Sequence, residues 1–164
     1  MLDFAVVEPL LEPPVTVEER CMRSAAHDFK LDYFLLRAIR EQEAGDPGMK
    51  KRNRNGSHDL GEMQINTVTV ADFASFGITE KDLRRDTCLN IYAGALHLWR
   101  KIAETGDVWK GVAWYHNKRK ALGFPYAKQV YRRYVRLLDA FNAKWVVADK
   151  DNPAERVRVA TEDS

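Results

Sequence analysis

Asp46-Pro47-Gly48-Met49-Lys50-Lys51-Arg52-Asn53-Arg54-Asn55-Gly56-Ser57-His58-Asp59-Leu60 interrupts a chain that otherwise reads as helix. Its turn formers (Pro47, Gly48, Asn53, Asn55, Gly56, Ser57, Asp59) are interleaved with Lys50, Lys51, Arg52 and Arg54. Asn55-Gly56 is a hairpin-turn dipeptide, so the stretch predicts a loop or a small β-tongue. Upstream, Thr16-Val17-Glu18-Glu19 has capping-box spacing, and Met22, Ala25, Ala26 and Phe29 give the following helix an apolar face. A second helix is predicted after Asp32. Phe34, Leu35 and Ala38 widen its apolar surface, which makes it central, and Gly45 is its natural stop.

Downstream the helical spacing returns. Thr67–Ser75 predicts a short helix ending near Gly77, Thr79–Arg84 a helical turn, and Thr87–Thr105 a long helix with Ile91, Ala95, Leu98 and Ile102 on one side. Asp107–Tyr115 predicts another. Tyr126–Val147 carries the last stripe, Tyr126, Val130, Tyr134, Leu137, Phe141 and Trp145. The fold class is mainly α with α+β character: about seven helices and one β-tongue or loop-rich insert near 46–65. Residues 1–14 read as a flexible arm, 15–148 as the folded domain and 149–164 as a polar tail.

The chain has 164 residues, 45% hydrophobic and 30% charged, which suits one globular domain and argues against disorder. No apolar run reaches the roughly 18 residues of a membrane span. Residues 1–20 carry five acids and one base, and residues 149–164 five acids and three bases. The segment between them holds 22 bases against 14 acids, which fits an anionic polymer partner or a solvated helical surface. No helix-turn-helix or zinc pattern supports a nucleic-acid module.

Cys21 and Cys88 form no C-x-x-C pair, and His27, His58, His97 and His116 do not cluster near them, so no metal site is expected. The two cysteines are compatible with one disulfide or with two buried thiols. Met1–Pro14 lacks a basic n-region and does not read as a signal peptide.

Glu43 leaves an apolar helix, where poor solvation raises a carboxyl's pKa and suits it to general-acid work. Asp59 lies in the polar tongue, where hydrogen bonds and water keep it ionised. Two carboxylates in opposed environments form the pattern of glycoside cleavage. Taken alone the pattern is weak in a chain with 24 acids.

Four further elements stand in order. They are Leu36-Arg37-Ala38-Ile39-Arg40-Glu41-Gln42-Glu43, then Asn55-Gly56-Ser57-His58-Asp59-Leu60-Gly61 with Met63-Gln64-Ile65-Asn66, then Cys88 with Asn90-Ile91 and Ala93-Gly94-Ala95, then Ala113-Trp114-Tyr115-His116-Asn117. With these, the chain from about Cys21 to Tyr134 resembles the lysozyme-like peptidoglycan lytic transglycosylases of the SLT type. It is closest to the small members that accompany secretion systems, pili and conjugation machines. The resemblance implies a lysozyme-like fold, a Cys21–Cys88 disulfide and a periplasmic location, with phage-type cytoplasmic synthesis as the alternative. It implies no cofactor, a peptidoglycan glycan substrate, and a secretion, pilus or conjugation component as partner. The sequence carries no interface signature, so a monomer is the default expectation.

The resemblance also implies residue roles. Glu43 is the general acid and then the base. Gly61 lets the backbone approach the sugar, Met63 and Gln64 line the sugar sites, and Tyr115 orients Glu43 or the substrate. The tongue also resembles that of animal-type lysozymes, whose second catalytic carboxylate falls at Asp59. Asp59 is therefore expected either to support Glu43 or to make the enzyme a hydrolytic muramidase. A third reading is a wall-binding assembly factor of low activity. The chain departs from the family pattern in three places. Ala44 stands where serine is usual, Glu62 where an apolar residue is usual, and Asn117-Lys118-Arg119-Lys120 is unusually basic. If Glu62 faced Glu43, like charge would raise one of the two pKa values.

Overall fold

Short polar side chains mark where the helices start. In the computed structural model, which describes residues 15–150 (145–150 without their side chains), Thr16, Asp32, Asn66, Thr79, Asp86 and Asp107 each accept a hydrogen bond from a first-turn backbone N–H. They open α1 (Val17–Asp28), α2 (Tyr33–Glu43), α3 (Thr67–Val70), α4 (Glu80–Arg85), α5 (Thr87–Thr105) and α6 (Val108–His116). The last helix is α7 (Lys120–Lys150). Thr16 caps α1 by accepting from Glu19 N, whereas the Glu19 carboxylate takes the Arg23 guanidinium at 2.6 Å.

The tongue is a three-stranded antiparallel sheet, β1 (Lys50–Arg52), β2 (His58–Leu60) and β3 (Ile65–Asn66), in that order. Lys50 pairs with Leu60, and Leu60 with Ile65. The β1–β2 turn closes through Gly56 N to Asn53 O and Asn53 N to Ser57 O, with Gly56 at φ +84°. This is a three-residue hairpin loop with its glycine in the left-handed region, not a two-residue Asn-Gly turn. β1 is exposed throughout, while Leu60 and Ile65 reach the helical core.

The core is the mainly α body expected from the sequence, with Leu36, Ile39, Ile91, Leu98, Val112 and Val130 fully buried. α5 packs on α1, α4 and α6, and α7 on α2 and α6. Cys21 of α1 and Cys88 of α5 are disulfide-bonded, with Cα atoms 5.1 Å apart across 67 residues of sequence. A loop of that length contributes about 4 kcal/mol in the chain-entropy treatment. Among the described residues no helix is long and apolar enough to cross a membrane.

Three elements differ from the sequence reading. The run Thr67-Val68-Thr69-Val70 is β-branched and sustains only one α turn before a 3-10 segment, Ala71–Phe76, completes the path to Gly77. The last helix starts at Lys120 rather than Tyr126 and includes Pro125. The hydrogen bond that Pro125 cannot donate belongs to exposed Ala121, whose carbonyl water can serve. A Cβ on Gly123 would lie 2.4 Å from Asn117 O and 2.8 Å from Ala113 O, so this glycine lets α7 start directly against α6. Finally, the left-handed residue ending α2 is Ala44 (φ +50°), not Gly45. Along the last stripe, Tyr126 and Val130 are buried and Phe141 tilts on Phe34 with centroids 5.2 Å apart. Trp145's side chain, the arm 1–14 and residues 151–164 lie outside the described residues.

Candidate active site

The C-terminus of α2 and the tongue are joined by an unusually close backbone contact. A Cβ on Gly45 would lie 2.1 Å from Gly61 O, so only glycine lets the two chains meet there. Gln64, itself at φ +49°, donates its side-chain amide to the carbonyl of Glu43. That bond satisfies one of the carbonyls left open at a helix end. Asn90 of α5 anchors the tongue from below. Fully buried, it accepts from Met63 N at 2.7 Å and donates to Leu60 O and Leu83 O, both at 2.9 Å.

These contacts set Glu43 on the wall of a cleft of about 620 Å³, shared with Asp59, Gln64, Tyr115, Tyr126 and His116. Burial pushes the Glu43 carboxyl up to about 7; the Tyr126 hydroxyl opposes this, and the Asp59 charge adds to it. Tyr126 OH donates to Glu43 Oε1 at 2.5 Å. Burial and the neighbouring Glu43 charge raise the Tyr126 phenol, so it stays a donor. His116 stacks on Tyr126, with centroids 4.6 Å apart and planes within 4°. Burial lowers the His116 imidazole, against the pull of Asp59. Asp59 accepts from Asn66 Nδ2 at 2.7 Å.

The expected site residues separate into two groups. Glu43, Asp59, Gln64 and Tyr115 share the cleft. Gly61 and Met63 do not line it. Gly61 (φ +62°) is buried against Asn90, where a Cβ would meet Nδ2 at 2.4 Å. Met63 is fully buried, and a Cβ on Gly94 of α5 would lie 2.8 Å from its Cε. Both sit beneath the cleft and hold the tongue on α5. Tyr115 OH donates to Met63 O at 3.1 Å, not to Glu43. Glu62 is 1% exposed and accepts from the Thr87 hydroxyl at the start of α5. It is not among the groups that set the proton affinity of Glu43.

Tyr126 is the residue the sequence reading missed as a partner of Glu43, because it heads an apolar stripe. The available signal was that a buried tyrosine hydroxyl needs a partner. Lys51, His97, Lys101 and Trp114 line the same cleft and were likewise not singled out. Among the described residues, no group of three or more His, Cys, Asp or Glu side chains is placed to hold a metal ion.

The hydrogen bond to Glu43 makes a direct prediction. Tyr126→Phe removes a donor that lowers the carboxyl's pKa, so the Glu43 midpoint is expected to rise above about 7. Carboxyl-carbon NMR titration of both proteins checks this; an unmoved midpoint would show that the bond does not hold the carboxyl in solution.

The sequence matches the Transglycosylase SLT domain over residues 20–132. It is 35% identical over 122 residues to Invasion protein IagB of Salmonella typhimurium (strain SL1344), covering 71% of this chain and 76% of that protein. It is 32% identical over 122 residues to Protein IpgF of Shigella flexneri, covering 71% and 80%. The X polypeptide of Escherichia coli (strain K12) is 32% identical over 124 residues, covering 70% and 72%.

Proposed function

This chain belongs to the transglycosylase SLT family, and from that premise we propose that it cleaves the β-1,4 bond between N-acetylmuramic acid and N-acetylglucosamine in peptidoglycan. The products end in 1,6-anhydromuramoyl residues. One observation carries the reading: the carboxyl that ends α2 faces a cleft and holds its proton up to about pH 7.

Tyr126 donates to Oε1, so the acidic proton of Glu43 sits on Oε2. From there it passes to the glycosidic oxygen as the bond to the muramoyl C1 breaks and the N-acetylglucosamine hydroxyl leaves. The carboxylate that results takes the proton of the muramoyl C6 hydroxyl, whose oxygen bonds to C1. Glu43 is again protonated and no water is consumed. An intramolecular nucleophile needs little positioning, so one carboxyl can serve both steps. Asp59, held by Asn66, supports the positive charge that develops at C1. Tyr115 and Gln64 act by fixing the backbone of Met63 and Glu43.

The word invasion in the name of IagB favours local wall opening for a larger assembly over bulk digestion, and the Cys21–Cys88 disulfide favours an oxidising compartment such as the periplasm. The test is to digest purified peptidoglycan and weigh the products. Anhydro-ended muropeptides, one water lighter than hydrolytic ones, are expected. Reducing-end products would make Asp59 a second catalytic carboxylate and the enzyme a muramidase. No products, beside an active control enzyme, would leave a wall-binding assembly factor.

A further inference from the structure

A second concavity, of about 560 Å³, runs along α5 and shares no lining residue with the Glu43 cleft. Its walls are Phe29 from the end of α1, Phe76 and Ile78 from the 3-10 segment and the residues after it, and Leu89, Tyr92 and Leu96 from α5. Asp86 is the one charged residue lining it, and it already caps α5 by accepting from Leu89 N at 2.9 Å. The Tyr92 hydroxyl is engaged as well, donating to Asp28 at 2.8 Å. The surface left to meet a ligand is hydrocarbon and aromatic ring, and Phe76 is 65% exposed on it. A monomer seldom leaves such a contiguous apolar patch bare.

The disulfide fixes where the N-terminal segment enters the fold relative to this groove. Cys88 lines the groove and is bonded to Cys21, their Cα atoms 5.1 Å apart. Val17, one turn before Cys21 on the same face of α1, is exposed, as is Val15 before it. Val15 therefore lies within roughly 20 Å of Cys88. Residues 1–14 carry Leu2, Phe4-Ala5-Val6-Val7 and Leu10-Leu11. An extended chain from Val15 back to Phe4 spans about 36 Å, whereas Leu96 is only about 12 Å along α5 from Cys88. We propose that this groove is occupied by the N-terminal segment of the same chain, with Phe4-Ala5-Val6-Val7 and Leu10-Leu11 seated against Phe76, Leu89, Tyr92 and Leu96. The segment's acids, Asp3, Glu8 and Glu12, complement exposed Lys30 and Arg85, which stand next in sequence to Phe29 and Asp86. Tethering favours this occupant over a second copy, because a linker this short holds the segment at an effective concentration on the order of millimolar. Residues 151–164 hold no Leu, Ile or aromatic residue and do not match the groove. The docking is independent of the lytic reading of the cleft.

Photo-cross-linking of the full chain tests this. Phe76→p-benzoylphenylalanine places the reactive group at an exposed position of the groove. An equal mixture of nitrogen-14 and nitrogen-15 protein is irradiated and the joined peptides are weighed. The expected main product links position 76 to a peptide from residues 1–14, with both halves carrying the same isotope. Halves of mixed isotope would assign the groove to a second copy and overturn the proposal, as would cross-links that never include residues 1–14. Adding Phe4→Asp and Leu10→Asp, which would bury two charges in an apolar site, is expected to cut that product about tenfold. In the otherwise unsubstituted chain the same two changes are expected to raise the fluorescence of a bound hydrophobic dye about threefold, because the groove is uncovered. An unchanged cross-link yield or unchanged dye fluorescence in the aspartate variants overturns the proposal. If the label at Phe76 lowers the melting temperature, Phe4→p-benzoylphenylalanine reads the same contact from the other side. It is expected to capture peptides containing Phe76, Leu89, Tyr92 or Leu96, and capture elsewhere or none overturns the proposal.

Discussion

Glu43→Gln is expected to lower cleavage on the order of a thousandfold while making the folded protein more stable above neutral pH. Both effects come from the same carboxyl. It has no substitute proton donor in the proposed reaction, so glutamine, which keeps the shape and loses the proton, stops the first step. For stability, the folded value of about 7 lies above the ordinary 4.5. The folded state therefore binds the proton more tightly than the unfolded chain. Stability is complete below about pH 4.5, falls as pH rises toward 7, and levels off above it. The cost at pH 8 is up to about 3 kcal/mol, since each pKa unit is about 1.4 kcal/mol. Glutamine carries no charge and escapes that cost. Melting curves are thus expected to coincide for wild type and variant at pH 4 and to separate in the variant's favour at pH 8. Equal melting at both pH values would mean that the carboxyl is well solvated and not poised as an acid.

Gly45→Ala carries the largest expected loss of stability. Its Cβ would stand 2.1 Å from Gly61 O and 3.1 Å from Gln64 Cγ. The nearer atom is backbone, so no rotamer change relieves the clash. The end of α2 and the tongue must separate, and the Gln64 bond to the Glu43 carbonyl is lost with them. A loss of at least about 3 kcal/mol is expected, at the high end for a single substitution. A urea midpoint lowered accordingly, with cleavage falling in the fraction that stays folded, is the expected pair of results. A midpoint within experimental error of wild type would show that the two backbones do not meet in solution.

Gly45 also marks where the sequence stops being legible. Its position after Glu43 reads as a helix stop, which is a local signal. Its function is long-range: Ala44 takes the left-handed turn, and Gly45 is free to meet the tongue. Tyr126 shows the same limit. Periodicity places it correctly on the buried stripe of α7 but does not show that its hydroxyl reaches a carboxyl 83 residues away. Caps and apolar spacing were legible because they act within a few residues, and they place α1, α2, α5 and α6 closely. The cysteine count left a disulfide and two thiols open; family resemblance, not spacing, pointed to the Cys21–Cys88 bond that the fold contains. Gly61 and Met63 fall within the tongue motif beside Gln64, yet only Gln64 reaches the cleft. A motif names neighbours along the chain, whereas the left-handed backbone at Gly61 and Gln64 accompanies a path that brings Gln64 to the cleft and leaves Met63 buried.

Everything proposed for the reaction rests on Glu43 keeping a substantial share of its proton near neutral pH while it faces the cleft. The most direct measurement is a carboxyl-carbon NMR titration of glutamate-labelled protein, with Glu43→Gln used to assign the resonance. The account predicts a carboxyl that titrates near pH 7 and is missing from the variant. A Glu43 resonance titrating near the ordinary 4.5 would contradict it.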